Sequence, residues 1–101
     1  MKTRFEWDPT KAASNFRKHG VSFQTAARVF ADPYALVEQD RIESGEERWQ
    51  TIGVVEGVLM LMLMVAHTVR EQDDIEVIRI ISARHANRRE RRRYEEENDS
   101  I

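Results

Sequence analysis

The chain has 101 residues, no cysteine and a formal net charge of -2, a length that supports one domain (residues 1–101) with a modest core and excludes two. The absence of cysteine excludes a disulfide framework or a thiolate metal site. The longest apolar run, Val58 to Ala66, is far short of the roughly 20 residues a membrane helix needs, and no signal-type apolar stretch follows Met1 to Arg4, so a soluble cytoplasmic protein is expected.

Phe5-Glu6-Trp7 predicts a short strand. Asp8 then supplies an N-cap ahead of Pro9 at the first helical position, and that helix should run through Phe16 and stop at Gly20. Ser22 caps a second helix whose Phe23, Ala26, Ala27 and Phe30 recur at the three- and four-residue steps of one buried face. Asp32-Pro33 ends it. Trp7, Phe16, Phe23 and Phe30 are assigned to the core.

Beyond Pro33 the pattern changes to strands: Tyr34 to Arg41, then Arg48 to Glu56 after a polar loop over Ile42 to Glu47 that contains Gly45. Val58 to Val69 follows, and a turn over Arg70 to Asp74 leads to Ile75 to Ala83. Along the third of these, Met60, Met62 and Met64 fall on one side and Leu59, Leu61, Leu63 and Val65 on the other, so it needs cover on both faces. Short loops imply an antiparallel meander. The expected fold class is therefore α+β, an antiparallel sheet of about four strands, with two N-terminal helices on one face and one C-terminal helix near the other.

The last helix opens on a capping-box pattern, Asn87 followed three residues later by Glu90. Six of the thirteen arginines lie between Arg84 and Arg93, and Glu95, Glu96 and Glu97 follow them. Cations thus face the positive end of the helix dipole, against ordinary helix electrostatics. One reading is an anion site built from guanidinium groups and backbone N–H groups; the other is a solvated helix laced with ion pairs.

Phe5-Glu6-Trp7-Asp8, Asn15 with Lys18-His19-Gly20-Val21-Ser22-Phe23, Ala26 with Val29-Phe30-Ala31-Asp32-Pro33, Gly45-Glu46-Glu47-Arg48-Trp49 with Ile52-Gly53, and Arg79-Ile80-Ile81-Ser82-Ala83-Arg84 with Glu90-Arg91 and Tyr94 form ordered blocks from Phe5 to Tyr94. Together these blocks resemble the BrnT-type toxins of type II toxin–antitoxin systems. The resemblance implies a RelE-like fold and a ribonuclease that arrests growth by cutting RNA. It also implies a BrnA-type antitoxin that occludes the toxin and represses their shared operon, so that operator DNA is met only through the antitoxin, in a dimer or heterotetramer. Ribonucleases of this superfamily are commonly basic, whereas this chain is mildly acidic.

To cleave RNA without a metal, a protein must take a proton from the 2′-OH, stabilise charge on the phosphorane and protonate the leaving 5′-oxygen. The candidates for proton transfer are Lys18, His19, Glu47 and His67; His19 is equally read as a helix C-terminal cap, and His67 as a hydrogen-bonded edge histidine. His85, beside Arg84, ranks below them. Arg79 sits in an otherwise apolar strand and needs a partner, either Glu47 or Glu56 across the sheet or a phosphate. Arg84, close to the helix N-terminus, has the better claim to a phosphate. Arg48, Trp49, Arg88, Arg91, Arg92 and Tyr94 are candidate RNA contacts, with Trp49 read as an exposed stacking surface and Tyr94 as equally able to pack on the sheet. No metal site is expected, since the histidines and carboxylates show no short ligand spacing, and no cofactor is expected. The leading function is a metal-independent endoribonuclease toxin. The alternatives are a catalytically silent module that binds antitoxin or nucleic acid in operon repression, and a structural protein whose Arg helix mediates assembly.

Overall fold

The computed structural model describes residues 2–99. Five strands, β1 (Lys2–Glu6), β2 (Leu36–Glu43), β3 (Glu46–Val55), β4 (Leu61–Gln72) and β5 (Ile75–His85), form one sheet in the order β1-β5-β4-β3-β2. The four later strands make the expected antiparallel meander, whereas β1 pairs in parallel with β5, from Lys2 opposite Ile75 to Glu6 opposite Arg79. The sheet is thus mixed and has one strand more than expected. The physical reason is the crossover: helices α1 (Pro9–His19) and α2 (Phe23–Ala27), extended by a 3-10 turn at Arg28–Ala31, carry the chain over one face from the β1 edge to the β2 edge.

The helix ends follow the local chemistry. Asp8 caps α1 by accepting from the Thr10 N–H at 2.8 Å, and Gly20 closes it at φ 71°. Ser22 accepts from the Thr25 N–H at 3.1 Å to open α2. The hairpin turns are tighter than expected, because Ser44-Gly45 and Asp73-Asp74 all adopt positive φ and close two-residue turns. Most of the expected loops at Ile42 to Glu47 and Arg70 to Asp74 is therefore strand. Val58, Leu59 and Met60 go the other way, lying exposed in the β3–β4 connection.

The main core lies between α1, α2 and the sheet: Val21, Phe23, Ala26 and Val29 meet Val55, Leu63, Val65, Ile78 and Ile80, with Phe5, Trp7 and Phe30 packed around them. Phe16 is the exception, 55% exposed. The inward position of α1 belongs to Asn15, whose side-chain amide donates to the carbonyls of Val21 (3.1 Å) and Ala83 (2.8 Å) and accepts from the Ala83 N–H (3.1 Å). That amide pairs the β5 backbone beyond the end of β1. On the opposite face, helix α3 (Arg88–Glu97) covers a smaller cluster of Ile52, Met64 and Ala86 with Leu36, Met62 and Tyr94. Its capping box forms as expected, Asn87 accepting from the Glu90 N–H at 2.8 Å and Glu90 from the Asn87 N–H at 2.9 Å. No helix among the described residues is long and apolar enough to cross a membrane.

Candidate functional site

Residues directly opposite one another on paired strands point to the same side of a sheet. On the side away from α1 and α2, one row runs Glu6, Arg79, Thr68, and the register continues to Arg48 and Arg41. The next row is Gln50, Ala66, Ser82, and the next is Ile52, Met64, Arg84, where α3 begins to cover the sheet. Beyond the reach of α3 the rows form a basin floored by the small residues Ala66, Thr68 and Ser82, Thr68 buried and the other two half-buried among the flanking side chains. Arg48 stands on one flank and Arg79 on the other, roughly 10 Å apart at two strand spacings. Arg84 stands at the α3 end.

Each of these arginines lies against a carboxylate. Arg84 donates through Nη1 and Nη2 to Oε1 (2.8 Å) and Oε2 (2.9 Å) of Glu90, a two-toothed pair that the capping box holds in place. Burial alone would raise the Glu90 pKa, since the residue is 8% exposed, yet the Arg84 hydrogen bonds, the Asn87 N–H and the Arg84 charge together bring it below the usual carboxylate range. At the β1 edge, Arg70 forks onto Glu6 at 2.9 and 3.1 Å, and Arg79 adds one bond at 3.2 Å. Chiefly through the Arg70 hydrogen bonds, and against a smaller opposing effect of burial, the Glu6 pKa falls to about 2. Arg48 and Arg41 share Glu43 at 3.1 and 3.2 Å, and Arg93 of α3 pairs with Glu38. The expected partner of Arg79, Glu47 or Glu56, is thus corrected to Glu6. The many carboxylates of this chain also find a place: several sit on the arginines of the open face.

The proton-transfer candidates are not gathered there. His67 alternates with Ala66 and Thr68 and points into the helix-covered layer, 2% exposed, its ring edge-on to Phe30 at 4.8 Å and its Nε2 2.8 Å from Thr51 Oγ1. Burial pushes its pKa down to about 4. Lys18 and His19 occupy the last turn of α1 on that same layer, where basic residues suit the negative dipole end. Glu47, exposed and opposite Ile42, alternates with Arg48 and so points to the other side of the sheet. Trp49, opposite His67, is half-buried on the helix-covered side, which corrects its reading as an exposed stacking surface. His85 is exposed at the end of β5.

Tyr94 packs against Ile52 and Met64, and its hydroxyl donates to Asp32 Oδ2 at 2.7 Å. Burial and the Asp32 carboxylate push its pKa up to about 12. Arg88, Arg91 and Arg92 are exposed along α3. Beside that helix a cleft of about 800 Å³ opens between Arg28, Tyr34, Val54, Met60 and Tyr94, and Val58 and Leu59, just before Met60 in the chain, are exposed.

Sequence reasoning passed over Glu6, Arg70 and Asp32 as site or anchoring residues. Glu6 lies 64 positions from Arg70 and 73 from Arg79, so no local spacing connects them. Asp32 carried a signal as a helix stop and as part of a family-like block, neither of which gave it a partner. Among the described residues, no three His, Asp or Glu side chains gather as a metal site.

No curated protein matches the sequence. Residues 7–90 match the family described as ribonuclease toxin, BrnT, of type II toxin–antitoxin systems, a span that takes in Arg48, Arg79, Arg84 and Glu90. With most of its length matched, the chain belongs to the BrnT family of ribonuclease toxins.

Proposed function

We propose that this chain is a metal-independent endoribonuclease toxin that cuts RNA in the basin on the open sheet face and thereby arrests growth. The observation that carries the reading is the placement of Arg48, Arg79 and Arg84 around a floor of small residues on the sheet face beyond α3. Guanidinium groups fixed by carboxylates are pre-oriented donors for the charge that develops on a phosphorane, the largest single contribution in many such reactions. Arg79 and Arg84 act as phosphate clamps and Arg48 positions the chain, with the 2′-OH as nucleophile. His67, Lys18, His19 and Glu47 all point away from the basin, so solvent water takes the 2′-OH proton and supplies one to the leaving 5′-oxygen, and transition-state electrostatics carry most of the rate.

In this reading the partner is a BrnA-type antitoxin that covers the Arg84 to Arg93 face in a dimer or heterotetramer, and operator DNA is bound through the antitoxin alone. The adjoining cleft and the exposed Val58 to Met60 segment support it, being an apolar surface next to an arginine-rich helix. A cytoplasmic location goes with that function.

The test is cleavage of RNA by the purified chain: Arg79→Ala or Arg84→Ala should slow it by at least about tenfold, roughly 1.4 kcal/mol of transition-state stabilisation. Unaltered rates in both variants would place the chemistry elsewhere. One observation favours a second reading, a catalytically silent binding module: every arginine flanking the basin already has a carboxylate partner. Absence of cleavage with retained RNA or antitoxin binding would favour that module.

A further inference from the structure

The ion pairs at the β1 edge divide two roles between two arginines. Arg70 commits both terminal nitrogens to Glu6, Nη1 to Oε2 at 2.9 Å and Nη2 to Oε1 at 3.1 Å, and Nη2 also reaches Gln72 Oε1 at 3.2 Å. Such a fork fixes both groups. Arg79 gives Glu6 only Nη1, at 3.2 Å, and among the described residues its Nε and Nη2 donate to nothing; its side chain is 41% exposed. Arg84, by contrast, commits both terminal nitrogens to Glu90. Glu46 adds a second carboxylate on the Arg70 side, while Glu6 is the one carboxylate that Arg79 touches among the described residues. Thr68, the cross-strand neighbour of Arg79, is small and buried.

We propose, on the ribonuclease reading above, that Glu6 is a positioning residue: anchored by Arg70, its carboxylate pins one corner of the Arg79 guanidinium so that the remaining N–H donors meet a phosphate of the RNA. A guanidinium already held in place loses less freedom when it binds, and a small misplacement of a phosphate contact is costly in rate. Glu6 does not take the proton, because a carboxylate held between two arginines is a weak base. This role rests on the geometry at the β1 edge.

The full chain is assayed as wild type, Glu6→Gln, Arg70→Ala, Arg79→Ala and the Glu6→Gln/Arg79→Ala double variant, each checked for folding by circular dichroism. Glu6→Gln and Arg70→Ala should each lower kcat about tenfold without raising KM, and Glu6→Gln should add nothing in the Arg79→Ala background. Arg70→Ala reads the same linkage should Glu6→Gln not fold. Unchanged kcat in both variants, or the same loss with Arg79 already removed, would overturn the proposal. A 2′-O-methyl oligoribonucleotide, which lacks the nucleophile, supplies a reading independent of cleavage. It should shift the Arg79 side-chain nitrogen resonances in the wild type and not in Glu6→Gln. If the wild type cuts no RNA, the ribonuclease reading fails, and the role of Glu6 is decided by that shift: its persistence in Glu6→Gln overturns the proposal, and its loss upholds it.

Discussion

His67 has a buried, neutral ring, and a neutral buried imidazole ties stability to pH. Its folded pKa, about 4, lies below the ordinary 6.5, so the unfolded chain binds this proton more readily. The contribution is whole above about pH 6.5 and is lost as pH falls toward 4, amounting at most to about 3 kcal/mol. Denaturant titrations between pH 7 and 4 should show that slope, and His67→Gln should remove it; an unchanged slope in the variant would show that another group titrates. Gly53 makes a second demand at this scale. A Cβ there would lie 2.8 Å from Val29 Cγ1 and 3.2 Å from the Val29 carbonyl oxygen, and the backbone atom cannot step aside as a side chain can. Gly53→Ala should cost about 1–3 kcal/mol, read as a lower denaturant midpoint with an unchanged m value. Single residues with a local chemical duty, the caps Asp8, Ser22 and Asn87 and the stop at Gly20, were legible in the sequence. Residues whose duty lies across the sheet, Glu6 with Arg70 or His67 with Thr51, were not, because their partners are fixed by register and not by spacing.

At the scale of elements, α3 rests on a narrow apolar contact, Tyr94 and Ala86 against Ile52, Met62 and Met64. Polar ties do much of the remaining holding: Tyr94 to Asp32, Arg93 to Glu38, and the Asn98 amide to the Tyr34 carbonyl at 3.2 Å. Asp32 Oδ2 also accepts from the Val54 N–H at 2.8 Å, joining the 3-10 turn, β3 and α3 at one carboxylate. Tyr94→Phe should cost about 1.5–3 kcal/mol, the range for a hydrogen bond to a charged group. Hydrogen exchange should show α3 amides losing protection while those of β4 keep theirs; equal loss throughout would mean that the helix does not open separately. Element types and order were readable from periodicity, and so was cover on both faces of β4. Strand ends were misplaced at Asp73-Asp74, which adopt positive φ with no glycine to announce a two-residue turn, and at Ser44-Gly45, where the glycine marked the loop but not its length. The parallel pairing of β1 had no sequence signal, since it depends on which edge the crossover leaves open.

Across the whole molecule, the mild acidity and the arginine-lined basin are compatible because carboxylates sit beside the basin arginines. The surface of α3 differs: Arg88, Arg91 and Arg92 are exposed. Charge reversal at these three should weaken binding of both RNA and antitoxin, with the RNA defect shrinking at high salt as counterion release predicts. Antitoxin inhibition that survives the triple reversal would put the partner on another face. The most direct test of the central claim is incubation of the pure, partner-free protein with total RNA in excess EDTA, followed by mapping of the new ends. The account predicts cleavage with 2′,3′-cyclic phosphate or 3′-phosphate termini, as attack by the 2′-OH requires; loss of cleavage on chelation would contradict it.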